Sequence, residues 1–274
     1  MREEVLTFWE NCPLTGIMTM PDAGKRLENK PAVLFWNAGL LHRVGPHRLF
    51  LDMARNLAGE GFPAVRFDLS GKGDSGPRPD KVLEKERAYY DVREVMDFVS
   101  INTGIKKFVL IGLCSGADDA FPIAVQDERV SGLIMLDGFG YRTFKYYVPH
   151  YILRLFILRR WKNFMKKMLR KLLVKEKIVK IKVDEYARAF PSKMKAQADL
   201  QRLIEKGVSI LFIYTSGVVD YYNYKGQFKD MLNLEEMNEN LQVEYFKEMT
   251  HTFSRVDDRN RLMNCVCDWM YKHY

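Results

Sequence analysis

The chain has 274 residues, 47% of them hydrophobic, enough to bury one large core and carry an insertion. Its net charge of +8 is unevenly placed: twelve Lys or Arg and one acid, Glu176, lie between Arg154 and Lys182, a local +11 that leaves −3 for the rest. Basic residues confined to one segment argue against nucleic acid as a partner, because such folds spread positive charge over a whole face. The four cysteines (Cys12, Cys114, Cys265 and Cys267) show no disulfide or zinc spacing, so no metal is expected and a reducing, cytoplasmic setting fits. Met1-Arg-Glu-Glu lacks the basic start and apolar run of a signal peptide, and no apolar run is long enough to cross a bilayer.

In chain order, residues 4–9 and 14–20 read as an antiparallel opening pair of strands, and 32–36 as a short buried strand. Residues 46–61 read as a helix, with Leu49, Phe50, Met53, Ala54 and Leu57 at helical spacing. Strands are expected at 63–68, 108–111, 130–136, 208–214 and 241–246, and helices at 89–101, 116–125, 231–238 and 255–274. Strands alternating with helices predict an α/β fold: a mostly parallel eight-stranded sheet covered on both faces. Residues 139–207 break the rhythm. They read as a basic helical cap inserted between two parts of the core, 1–138 and 208–274, with an apolar stripe (Leu158, Trp161, Met165, Met168, Leu169, Leu172) opposite Lys and Arg.

Gly112-Leu-Cys114-Ser-Gly116 carries the most chemistry. It leaves an apolar strand and enters a helix, the form of a nucleophile elbow. The turn is so tight that the positions two before and two after the nucleophile must be nearly free of side chain, which glycine satisfies. The helix N-terminus favours negative charge and so a thiolate at Cys114. Placing Ser115 in the slot would put Leu113 and Ala117 at the crowded positions, so the register favours Cys114. The plain alternative is a small buried hydrophobe.

A thiol nucleophile needs a base and an orienting acid, arranged along the chain as nucleophile, acid, histidine. With the acid expected after the strand two beyond the elbow strand, the candidates are Asp220, following 208–214, and His251, following 241–246. The oxyanion donors are expected to be backbone N–H groups: Ser115 next to the nucleophile, and Gly39 or Leu40 in the loop after 32–36. On this reading the Ser115 side chain is dispensable. His42 and Arg43 of the same loop either line the pocket or brace it. Gly71-Lys-Gly73-Asp-Ser-Gly76 matches a dinucleotide fingerprint, but it runs into Pro77-Arg-Pro79 and cannot open a helix on a phosphate, so no cofactor is expected.

With these motifs in place, the chain resembles the α/β-hydrolase superfamily over about 200 residues flanking the cap. The nearest pattern is that of exosortase-A-system-associated hydrolases, on Arg43-Val-Gly-Pro-His-Arg48, Arg66-Phe-Asp-Leu-Ser-Gly-Lys-Gly-Asp-Ser75 and Gly112-Leu-Cys-Ser-Gly-Ala117. Dienelactone hydrolase is similar in using a Gly-x-Cys-x-Gly elbow with His and Asp. The chain departs from typical members in Asn37-Ala-Gly39, where His-Gly is common, and in its basic cap. The resemblance implies that the Gly-x-Gly-Asp-Ser stretch is structural. The expected function is an acyl hydrolase or acyltransferase, of esterase or thioesterase type, with a Cys114–His251–Asp220 triad. The alternative is an inactive hydrolase fold that docks by its basic segment 154–182 on an anionic membrane or an acidic acyl-carrier protein. That segment is also consistent with a plain solvated helix face.

Overall fold

The computed structural model describes residues 1–8, 14–24, 29–148, 188 and 190–274. Eight strands form one sheet: β1 (Arg2–Phe8), β2 (Leu14–Met20), β3 (Ala32–Phe35), β4 (Ala64–Phe67), β5 (Phe108–Leu113), β6 (Val130–Leu136), β7 (Ser209–Thr215) and β8 (Leu241–Phe246). Their spatial order is β1-β2-β4-β3-β5-β6-β7-β8. β1 and β2 pair antiparallel, and β2 runs antiparallel to β4; every pairing from β4 and β3 through to β8 is parallel. The mostly parallel sheet expected from the alternating pattern is therefore present.

The helices are α1 (Leu49–Gly59), α2 (Glu84–Thr103), α3 (Ser115–Gln126), α4 (Lys193–Glu205), α5 (Gln227–Leu232) and α6 (Val256–His273). Successive strand residues point to opposite faces. Phe108 and Leu110 thus join the core under α2, α3 and α4, while Val109, Ile111 and Leu113 join the core under α1 and α6. β5 is buried along its whole length, as a strand covered on both faces must be. Leu49, Phe50, Met53 and Leu57 of α1 are almost wholly buried, worth about 1.5–3 kcal/mol each relative to exposure.

Two boundaries differ from the sequence reading. The helix expected from residue 46 begins with a short 3-10 turn, and positive φ at His47 and Arg48 separates it from α1. The helix expected at 231–238 ends at Leu232, because Asn233 takes a left-handed conformation and closes it. Within the stretch 139–207 read as a cap, α4 buries Ala196, Leu200 and Leu203 in the main core, capped at its start by Ser192. The basic segment 154–182 and its apolar stripe lie outside the described residues. Among the described residues no helix is long and apolar enough to cross a membrane.

Candidate active site

The functional groups gather at the C-terminal ends of the parallel strands. Cys114 sits between β5 and α3 with φ 56° and ψ −119°, a conformation few non-glycine residues adopt. The first flanking glycine has no room for a side chain, and the second has little. A Cβ on Gly112 would lie 2.3 Å from the Gly116 carbonyl oxygen, and one on Gly116 would lie 3.0 Å from the Asn37 carbonyl oxygen. The sharp turn holds the thiol half-buried above the sheet, at the N-terminus of α3.

His251 follows β8 and reaches the thiol. Burial pushes the Cys114 thiol pKa up, but a hydrogen bond with His251, the charges of Arg188 and His251, and the Ser115 N–H outweigh it, so the net shift is downward. His251 is pushed the other way, to about 9, chiefly by its hydrogen bond to Asp137 and then by that to Cys114, against the opposing effect of burial. Opposite shifts on adjacent groups move the pair toward thiolate and imidazolium.

The carboxylate that meets His251 is not Asp220. His251 Nδ1 lies 2.8 Å from Oδ2 of Asp137, at the end of β6. Asp137 is fully buried, and its carboxylate also accepts the Thr215 N–H and the Thr215 hydroxyl, both at 2.7 Å. Asp220 is exposed, and the hydrogen bonds at this residue go to its main-chain carbonyl, from Arg142 Nε at 2.7 Å and from the Tyr146 hydroxyl at 2.7 Å. The reason is the path after β7. At the end of β7, Gly217 lies so close to His251 that a Cβ there would be 2.2 Å from the His251 Cβ. The histidine loop closes down on that turn, and by Asp220 the chain has moved on. The hint available in the sequence was an acid directly ending the buried strand next to the elbow strand, in Leu136-Asp137-Gly138.

Arg188 was also missed, because it lies within the stretch read as a cap. Its guanidinium grips Asp118 on α3 with two bonds, Nε–Oδ2 2.7 Å and Nη2–Oδ1 2.8 Å. It also donates to the Tyr221 hydroxyl at 2.8 Å and to the Cys114 carbonyl at 3.1 Å. A fixed positive charge therefore stands beside Cys114. Burial raises the Asp118 carboxyl pKa, and Arg188 opposes that rise.

The loop after β3 is braced from below. Asn37, where His-Gly is common, is buried. Its amide nitrogen donates to the Leu41 carbonyl at 2.8 Å and to Asp68 Oδ1 at 2.7 Å, and its amide oxygen accepts the Leu69 N–H at 2.6 Å. Asp68 also takes the Arg43 N–H at 2.7 Å and the Arg43 guanidinium. His42, Asp68 and Asp74 are the one metal-like cluster among the described residues, but Arg43 lies against both carboxylates and already supplies the positive charge. Arg43 thus braces the loop, and His42 joins it through Asp74 at 3.1 Å. The Gly71–Gly76 loop is part of the same brace. A Cβ on Gly73 would lie 2.3 Å from the Asp68 carboxyl carbon, and Ser75 Oγ donates to the Asp68 carbonyl at 2.6 Å. Of the expected second oxyanion donors, Gly39 has its N–H 2.7 Å from Ser115 Oγ, while the Leu40 N–H makes no hydrogen bond among the described residues and its side chain is exposed.

This sheet order, with an elbow after β5 and a histidine after β8, decides the architecture. The chain has the α/β-hydrolase fold. It matches no family model and no curated protein. Among solved structures it is similar to an α/β serine hydrolase homologue from Coxiella burnetii, at 14% identity and a TM-score of 0.58, covering 97% of this chain and 96% of that one. It is also similar to an esterase domain from Rhodothermus marinus, at 14% identity and TM-score 0.57 with 99% of each chain covered. A third likeness is a meta-cleavage product hydrolase from Pseudomonas fluorescens, at 14% identity and TM-score 0.56 with 96% of each covered. At these identities the likeness establishes the fold alone, and this α/β-hydrolase fold carries cysteine in its elbow.

Proposed function

We propose that the protein is an acyl hydrolase or acyltransferase that works through a Cys114 acyl-enzyme, with His251 as base and then acid and Asp137 as the orienting carboxylate. The observation that carries this reading is His251 held by Asp137 at 2.8 Å beside Cys114, each lowering or raising the other's pKa so that the thiol shifts down and the imidazole up. The thiolate attacks a carbonyl carbon, and the C=O electron pair moves onto oxygen. Collapse of that oxyanion expels the leaving group, which takes the proton from His251. Water or another acceptor, deprotonated by His251, then attacks the thioester and releases Cys114. A thiolate is a good leaving group, so esters and thioesters suit this site better than amides. The hydrolase and esterase neighbours support the same class by fold.

The test is intact-mass spectrometry during turnover of a slow activated acyl ester. An acyl adduct on Cys114, lost in Cys114→Ala together with turnover, is the expected result. An adduct elsewhere, or full activity in Cys114→Ala, would overturn the reading. The charge of +11 over residues 154–182 supports a second proposal, an anionic docking partner: an acidic acyl-carrier protein or an anionic membrane. Salt-sensitive binding to either supports it, and salt-insensitive behaviour toward both removes it.

A further inference from the structure

Ser115 directly follows the nucleophile, and its hydroxyl meets the loop after β3. Its oxygen accepts the Gly39 N–H at 2.7 Å, the bond on which the oxyanion loop meets the elbow. A serine hydroxyl carries one proton and two lone pairs. One lone pair is used by Gly39, and the proton has no acceptor among the described residues. The residue is half-buried, beside the thiol whose pKa is lowered partly by the Ser115 N–H. The Gly39 N–H is therefore engaged by Ser115 Oγ in this structure, and an unused O–H stands in its place.

We infer that the Ser115 hydroxyl is itself an oxyanion donor, polarised from behind by the Gly39 N–H. This inference rests on the acyl-enzyme reading above. As the Cys114–carbon bond forms and the carbonyl π pair moves onto oxygen, the Ser115 O–H shortens its hydrogen bond to that oxygen. The Gly39 N–H strengthens on Oγ in step, since a hydroxyl that accepts a bond donates a stronger one. No proton leaves Ser115, and collapse of the oxyanion restores the starting arrangement. The loop donor thus acts through a side chain, which the reading of Ser115 as a backbone donor alone did not allow. The requirement for φ of +59° at Gly39, with open space where a Cβ would go, fits a glycine kept for the aim of its N–H.

The opposing possibility is that Ser115 Oγ merely plugs the loop N–H and must move aside for substrate. The two make opposite predictions. In Ser115→Ala the Gly39 N–H is freed: a plug predicts faster acylation, a donor predicts slower. The experiment measures the single-turnover acylation rate of an activated ester and, separately, iodoacetamide alkylation of Cys114, which forms no oxyanion. Ser115→Ala is expected to slow acylation about 100-fold or more, with the loss in kcat rather than KM and with alkylation unchanged. Ser115→Thr, which keeps the hydroxyl, is expected to recover acylation to within about tenfold of the parent. Acylation unchanged or faster in Ser115→Ala would overturn the inference, assigning the oxyanion to the Gly39 or Leu40 N–H. So would a Thr variant that alkylates normally but acylates as slowly as Ala. If Cys114→Ala acylates like the parent, the acyl-enzyme reading fails, and this inference with it.

Discussion

His251 and Asp137 are 114 residues apart in the chain and joined by a 2.8 Å bond, Nδ1 to Oδ2. Thr215 fixes the carboxylate with two further donors, so Asp137 holds the Nδ1 side of the imidazole in one orientation. This places the carboxylate that holds His251 at the tip of β6, next to the elbow strand.

The first prediction compares two aspartates. Asp137→Asn removes the largest influence raising His251 and leaves its tautomer undefined, so turnover should fall by about three to four orders of magnitude. Asp220→Asn should stay within about twofold of the parent, the size of an exposed substitution, because the residue is engaged through its main-chain carbonyl. Steady-state kinetics on one activated ester decides between them, and the reverse ordering would return the role to Asp220.

A second expectation concerns pH. Alkylation of Cys114 should titrate below the ordinary thiol range, because the thiolate form is favoured. Ester turnover also needs His251 protonated to serve the leaving group, and that form is lost as pH rises through about 9. The profile should be a bell with its basic limb near 9. In Asp137→Asn the basic limb should move to lower pH. A basic limb that stays put in that variant would detach it from His251.

Arg188→Met should weaken the thiolate. Its charge is one of the influences lowering the Cys114 pKa, so the alkylation profile should shift upward and the rate near pH 6 should drop. The same change leaves Asp118 buried without its partner. Its pKa, already raised by burial, should rise further, so the variant keeps stability at acidic pH and loses it as pH climbs through the new value. Thermal melts at pH 5 and pH 8 read this sign directly; a variant that melts like the parent at both would show that Arg188 is dispensable to the buried carboxylate.

Gly73→Ala should act at a distance. The new Cβ would strike the Asp68 carboxylate, and the residue sits at a φ of +52°. Strain of this kind costs about 1–3 kcal/mol. Because Asp68 holds Asn37 and Arg43, acylation should slow even though Gly73 touches neither Cys114 nor His251. Denaturant melts together with acylation rates check it, and a drop in stability with acylation untouched would uncouple the brace from the loop.

The sequence by itself determined the parts of the site that are local. Gly112, Cys114 and Gly116 specify the elbow because the tight turn excludes side chains two residues to either side. The buried alternating runs specify a parallel sheet because both of its faces need cover. His251 was legible because it directly follows the last strand. Tertiary structure decided the rest. β5 to β8 are neighbours and parallel, so acids following β6 and β7 emerge on the same rim, and chain order admits either as the partner of His251. The choice was made by the close packing of Gly217 on His251 and by the Thr215 donors to Asp137. Arg188 on the Cys114 carbonyl and Ser115 Oγ on the Gly39 N–H are likewise contacts between residues more than 70 positions apart, set by where the chain returns and not by any local pattern.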